Sequence, residues 1–346
     1  MNRLRSRLAG LMGRVLLLTF GLACAVAISE AGLFLFLTHP TFLRWAPSGL
    51  AANIRYYYMS YDRALLQAQP EASRYDRELF YTLRPGAFHF RNREYDVEVR
   101  VNQAGVRDDA ASLQAPEIIV LGDSLAMGWG VGQSQSFPEQ LARLTGRKVL
   151  DAGIASYGTV RERRLLDRLD TSAMKWLVIQ YDANDAVENA AFRDQGNVLH
   201  VQPRVVYHQT LEQAAQRRRY WPGKATFCIV RHLLGLSGER PPTVFHPVDE
   251  AAVFLNALEH AGTTPLDGVQ VLVVPINAFD EPVSPFCEEV VQQIGKRDCP
   301  SWMRRMIVLD LTGTLRREHY FDLDDHINAA GHRVVAQAIQ QALFGR

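Results

Sequence analysis

Ile118-Ile119-Val120-Leu121 is an aliphatic run that stops abruptly at Gly122-Asp123-Ser124. A short run of this kind, bounded by a glycine, reads as a buried strand. Gly122 allows a sharp change of direction as the chain leaves that strand. Ser124 then stands beyond the carboxyl end of a strand, where α/β sheets place their sites. A serine at such a place becomes a nucleophile only with a base to take its proton and donors to receive an oxyanion.

From Pro116 onward, strand patterns at 117–122, 147–152, 175–181, 269–275 and 305–311 alternate with helical patterns at 137–145, 160–170, 250–261 and 329–343. Alternation predicts an α/β fold, a parallel sheet covered on both faces. Roughly 90 residues separate the third and fourth strands, too many for a plain crossover, so an insertion is expected at about 187–268. It carries Arg217-Arg218-Arg219-Tyr220-Trp221 and Lys224. A basic patch with aromatics suits an anionic glycan or a lipid headgroup. A solvated face is the commoner explanation when total charge is balanced.

Residues 15–37 form an apolar stretch with one charged side chain, Glu30, after Arg3, Arg5, Arg7 and Arg14. A helix needs about 20 apolar residues to cross a bilayer, and an arginine excess keeps its flank in the cytoplasm. The expected organisation is a cytoplasmic tail (1–14), a single transmembrane anchor (15–37), a juxtamembrane region (38–114) and an α/β domain (115–346) exported from the cytoplasm. Ala25-Val26-Ala27 has the form of a signal-peptide cleavage site, but the apolar run continues past it, which favours an uncleaved anchor. Cys24 is read as an apolar cysteine of the span rather than a lipoprotein cysteine. Glu30 either meets a membrane partner or reaches the outer interface.

In the juxtamembrane region, Tyr56, Tyr57, Tyr58 and Tyr61 suit a lipid interface or packing against the protein. Tyr95, Val97, Val99 and Val101 alternate with polar residues, the period of a half-buried hairpin strand. Cys287 and Cys299 are close enough in sequence for a short disulfide loop, although two separate thiols would read alike. No Cys/His spacing resembles a zinc site, and no cofactor or metal is implied. A formal net charge of +1 over 346 residues argues against a nucleic-acid binder.

The base expected for Ser124 is His326, in Asp322-Leu323-Asp324-Asp325-His326 just before the last helical pattern. Asp324, two residues upstream, can face the same way in an extended loop and hold the imidazole. Asp322 and Asp325 are weaker candidates. Gly153, after the second strand, can offer its N–H to an oxyanion, and Asn184, after the third, its side-chain amide.

Gly122-Asp123-Ser124, Gly153, Asn184-Asp185 and Asp324-x-His326, in this order, resemble the blocks of the SGNH (GDSL-type) hydrolases over residues 115–346. The resemblance implies a flavodoxin-like α/β/α sandwich with parallel sheet. It implies Ser124 as nucleophile, an Asp324–His326 pair, and an oxyanion hole of the Ser124 and Gly153 N–H groups with the Asn184 amide. Two departures stand out. The usual Asp-x-x-His spacing would put Leu323 at the acid position, and Asp182 replaces the glycine of the usual Gly-x-Asn-Asp. Asn102-x-x-Gly105-Val106-Arg107 is similar to an element of bacterial membrane-anchored members, or is a polar turn after a strand.

The implied activity is an exported, membrane-anchored serine esterase acting on acyl esters of cell-envelope polysaccharide or lipid. Its expected partners are the acylated glycan or lipid ester, the inner membrane, and a membrane acyltransferase or polysaccharide-export protein. The same triad also serves an O-acyltransferase that passes the acyl group to a sugar. A third reading is a non-catalytic glycan-binding or assembly protein on this scaffold.

Overall fold

The computed structural model describes residues 2–237, 249–279 and 285–345, with side chains from residue 10 onward. Its first half contains α1 (Asn2–Thr38), α2 (Ser48–Tyr57), β1 (Ser73–Asp76), β2 (Phe80–Leu83), β3 (Gly86–Arg91), β4 (Asp96–Val101), β5 (Ile118–Leu121), α3 (Ser124–Met127), α4 (Phe137–Thr145), β6 (Val149–Asp151) and α5 (Thr159–Leu166). There follow β7 (Trp176–Tyr181), α6 (Asp185–Asp194), α7 (Arg204–Arg218), α8 (Lys224–Leu233), α9 (Glu250–His260), β8 (Gln270–Pro275), α10 (Phe286–Lys296), α11 (Ser301–Arg304), β9 (Ile307–Val308) and α12 (Ala329–Phe344).

The chain divides into two compact units. One holds the residues up to Arg63 and re-forms from Arg217; the other begins at Ala64 and ends with the C-terminus. The stretch expected as one juxtamembrane region is therefore split. Residues 38–63 go with α1, whereas 64–114 belong to the α/β unit. The reason is apolar packing: Phe90, Tyr95, Val99 and Val101 of the β3–β4 hairpin share a buried cluster with Met127 and Trp129, just after Ser124. The insertion is divided too, because residues from Arg217 join the α1 unit.

In the larger unit five parallel strands run in the order β6-β5-β7-β8-β9. That is the doubly wound 2-1-3-4-5 order, with its switch point between β5 and β7. Ile119 is flanked in register by Leu150 on β6 and Leu177 on β7. Strand residues alternate between two cores. Ile119, Leu121, Leu177, Ile179, Val271 and Val273 face one, and Ile118, Val120, Val178, Leu272 and Val274 face the other. Both faces being covered explains why these strands read as unbroken aliphatic runs. All five predicted strands are present. The last is short, pairing only Ile307 with Leu272 and Val308 with Val273, before the Asp310 carboxylate accepts the Thr312 N–H and turns the chain.

In the smaller unit α1 includes a 29-residue apolar stretch, Gly10–Thr38, long enough to cross a membrane. The tyrosine cluster packs inside this unit. Tyr57 and Tyr58 are buried, and Tyr56 stacks on His232 of α8. Cys287 and Cys299 are separate thiols, each partly buried, so the disulfide loop does not form.

Candidate active site

Ser124 opens α3 directly after β5, and the turn that delivers it depends on Gly122. Its φ is +151°, and a Cβ there would lie 2.6 Å from both Ala126 Cβ and Gln180 Oε1. Gln180 of β7 is buried, and its Oε1 accepts the N–H groups of Asp123 (3.1 Å) and Ala126 (3.2 Å). The Asp123 carboxylate caps α3 by accepting the Leu125 N–H at 2.9 Å. These bonds fix the first turn of α3 and with it the serine.

Ser124 Oγ lies 2.7 Å from His326 Nε2. His326 Nδ1 lies 2.6 Å from Asp324 Oδ1. The carboxylate nearest the imidazole thus comes two residues before the histidine, and Leu323, at the more usual spacing, is buried in the core. Asp325 approaches as well, its Oδ1 2.9 Å from the same Nδ1. Burial works against a charged His326, but the two carboxylates and their hydrogen bonds prevail and raise it to about 10. Trp129 stacks on the imidazole, with ring centres 4.8 Å apart and planes at 15°.

Asp324 itself is tightly held. Its Oδ2 accepts from Tyr95 Oη at 2.9 Å and from Trp129 Nε1 at 3.2 Å. Glu94 reaches the same loop, its carboxylate accepting the N–H groups of Asp322 (2.7 Å), Leu323 (2.8 Å) and Asp324 (2.8 Å). Burial pushes the Glu94 carboxyl up, and these three donors offset only part of that. None of Glu94, Tyr95, Trp129 or Gln180 was singled out as a site residue from sequence.

The Asn102-x-x-Gly105-x-Arg107 element is both a turn and a brace. Asn102 Oδ1 accepts the Ala104 N–H at 3.0 Å. Arg107 is buried and donates to the carbonyls of Met127 (3.0 Å), Gly128 and Val131 (2.7 Å), and to Gln133 Oε1 (3.0 Å). It thereby clamps the loop that carries Trp129.

The expected oxyanion donors fare differently. Gly153 packs so closely on α3 that a Cβ would lie 2.4 Å from Met127 N. Its N–H, however, donates to Asp151 Oδ1 at 3.0 Å, which turns it into its own loop rather than toward a substrate. Ser124 is the first residue of α3, and helix-start N–H groups have no acceptor within their own helix. Asn184 is exposed, and its side chain sits near enough to Asp123 to favour that carboxylate's ionised form.

Asp182 has a structural role, its Oδ1 accepting the Asn184 N–H at 2.8 Å. Behind it lies a buried acidic group. Glu162 is pushed well up by burial and then by Asp123 and Glu188, and Asp185 by burial and then by Glu162 and Asp123. The described residues also include a metal-compatible cluster, Asp324, Asp325 and His326. Its three side chains are already joined to one another and to Ser124 by hydrogen bonds and ion pairs.

No family model matches this chain, and no curated protein matches it. Solved structures to which it is similar include a carbohydrate esterase whose active site displays divergent catalytic and non-catalytic binding functions (13% identity, 67% of this chain and 65% of that one, TM-score 0.36). Others are phospholipase A1 from Streptomyces albidoflavus NA297 (14%, 66% and 99%, TM-score 0.35) and the salicylyl-acyltransferase SsfX3 from a tetracycline biosynthetic pathway (14%, 68% and 56%, TM-score 0.33). Likenesses this remote leave the assignment to the side chains of this chain.

Proposed function

We propose that this chain is a membrane-anchored serine esterase of SGNH (GDSL) type, acting outside the cytoplasmic membrane on acyl, chiefly acetyl, esters of cell-envelope glycan or lipid. The observation that carries the reading is the unbroken chain from Ser124 Oγ through His326 to Asp324, with contacts of 2.7 and 2.6 Å. Ser124 attacks the ester carbonyl while His326 Nε2 takes its proton. Asp324, and beside it Asp325, stabilise the imidazolium that forms. The tetrahedral oxyanion rests on the Ser124 N–H and the Asn184 amide, with Gly153 supplying the close backbone approach. His326 returns its proton to the leaving alcohol, and water then releases the acid from the acyl-serine.

The apolar helix near the N-terminus, with arginines ahead of it, supports retention as an anchor with the remaining chain outside. The test is acetate release from an acetylated oligosaccharide by wild type and Ser124→Ala, with and without an unacetylated oligosaccharide acceptor. Hydrolysis predicts release that depends on Ser124 and is indifferent to acceptor. Release that collapses as acetyl appears on the acceptor would instead make the chain a transferase. Equal rates for wild type and Ser124→Ala would remove the enzyme reading altogether.

A further inference from the structure

The arginine-rich return at residues 217–236 has no part in the proposed chemistry, yet it is built onto the apolar helix. In the smaller unit Thr226 N donates to Glu30 Oε1 at 2.7 Å, and Thr226 Oγ1 donates to Ser29 Oγ at 3.0 Å. Glu30 therefore closes the amino end of α8, where the helix dipole favours a carboxylate. A Cβ on Gly223 would lie 3.3 Å from Val26 Cγ1, so the start of α8 is set against residues 26–30 of α1. Lys224 is drawn inward, donating to the carbonyls of Tyr61 (2.8 Å) and Arg217 (2.6 Å).

The packing on α1 follows the same level. Residues 10–23 are exposed all round, whereas Val26, Ser29, Glu30, Leu33, Phe36 and Leu37 form a partly covered stripe at helical spacing. The bare segment needs lipid, while the striped segment already has protein. Twenty residues of helix ending near Ala27 measure about 30 Å, the thickness of a bilayer core. Arg14 then lies within snorkelling reach of the inner face.

α8 has one face toward this cluster, through Ala225 and Cys228, and an opposite face that is bare and apolar: Phe227, Val230, Leu233 and Leu234. Residues 217–236 expose Arg217, Arg218, Arg219 and Arg231 and contain not one carboxylate. An apolar face flanked by cations is the pattern of a helix lying in the surface of an anionic bilayer. Its start, set against residues 26–30, follows directly along α1 from the bare segment that the membrane is expected to cover.

We propose that α8 is an interfacial helix that lies on the outer leaflet of the anchoring membrane, its Phe227, Val230, Leu233 and Leu234 face among the acyl chains and the neighbouring arginines on anionic phospholipid headgroups. The lipid boundary then falls near residues 26–30, and the last turns of α1 stand outside the bilayer. This rests on retention of α1 as an anchor, so the test reads both.

The full chain is placed in nanodiscs of phosphatidylglycerol and phosphatidylcholine, with the photo-crosslinker p-benzoylphenylalanine at Phe227, Val230 or Leu233, or at Leu17 of α1. After irradiation, lipid adducts are measured by mass spectrometry against the same samples kept dark. The proposal expects adducts at all three α8 positions, at a yield at least fivefold above the dark background and close to that at Leu17. In Arg217→Gln/Arg218→Gln/Arg219→Gln the α8 yield should fall by half or more while that at Leu17 stays. Adducts at Leu17 with only background at α8 would overturn the interfacial helix and leave the anchor standing. Cross-links from α8 to a second copy of the chain would overturn it in favour of a protein interface. Background at Leu17 as well would show instead that α1 does not reside in lipid.

Discussion

Glu94 accepts the backbone N–H of Asp324 at 2.8 Å across 230 residues of sequence, and Tyr95, its neighbour, bonds the side chain of the same aspartate. A hairpin outside the sheet thus fixes Asp324, the proposed acid partner of His326, by main chain and by side chain together. The loop of residues 322–326 depends on β3–β4 for its shape as well as on its own residues.

Glu94→Gln therefore weakens three N–H contacts to a charged acceptor, each worth about 1.5–3 kcal/mol. The expected result is a kcat at least tenfold lower with KM little changed, together with a lower Tm. A Tyr95→Phe variant should lose less, because Trp129 Nε1 still donates to Asp324. Steady-state kinetics on a soluble acetyl ester checks both, and an unchanged kcat in Glu94→Gln would show that the loop holds its shape unaided.

Two carboxylates compete for His326 Nδ1, but Asp324 is the nearer and the more deeply buried. Asp324→Asn is expected to lower kcat by about 10³–10⁴, the scale seen when a triad aspartate loses its charge. Asp325→Asn should cost less than tenfold. The reverse order of losses would move the acid role to Asp325.

The same pair sets the pH profile. Catalysis needs His326 neutral, and the carboxylates beside it raise its ionisation to about 10 against burial, which lowers it. Activity should rise with pH along a limb whose midpoint lies above the ordinary histidine value of about 6.5. Asp325→Asn removes part of that support, so its midpoint should move to lower pH. A wild-type midpoint at or below 6.5, or no movement in the variant, contradicts this account.

Much of this site was legible because its pieces follow strands. Ser124, Asp182-x-Asn184 and Gly153 each come after an aliphatic run, and the order of β5, β6 and β7 brings those ends together at the switch point. Asp324 and His326 are close in sequence, so a loop suffices to pair them. Glu94 and Gln180 were not legible, because a side chain that accepts distant backbone N–H groups leaves no periodicity or spacing behind. Gly153 shows the opposite error. The glycine is needed, but for a 2.4 Å approach to Met127 N, and the N–H expected for the oxyanion serves Asp151. The return of residues 217–237 to α1 was equally hidden, since Glu30 and Thr226 meet only through tertiary packing.

Glu162 supplies a stability prediction. It is buried, its carboxyl is pushed well up by burial and by Asp123 and Glu188, and neither oxygen has a hydrogen-bond partner among the described residues. The folded state keeps this proton where the unfolded chain loses it, so its contribution is intact below about pH 4.5 and is lost as pH rises. Glu162→Gln should accordingly raise Tm at pH 8, by about 2–4 °C per kcal/mol relieved, and the gain should vanish near pH 4. Calorimetry at the two pH values decides, and a lower Tm for the variant at pH 8 would refute the assignment of a costly buried acid.

Gly153→Ala tests the packing beneath Ser124. The added methyl must displace the α3 backbone, which overpacking data put at about 1–3 kcal/mol. Loss of Tm and of kcat together is the expected outcome in thermal and kinetic assays. An active variant of unchanged Tm would mean that the approach is looser than 2.4 Å.

The central claim is that Ser124 is a nucleophile activated by His326 at 2.7 Å. Its most direct measurement is covalent labelling of the full chain by a fluorophosphonate, followed by peptide mass mapping. The account predicts a single phosphonylated residue, Ser124, with labelling abolished in Ser124→Ala and slowed at least a hundredfold in His326→Ala. Wild type that labels no faster than Ser124→Ala, or a label on another serine, would contradict it.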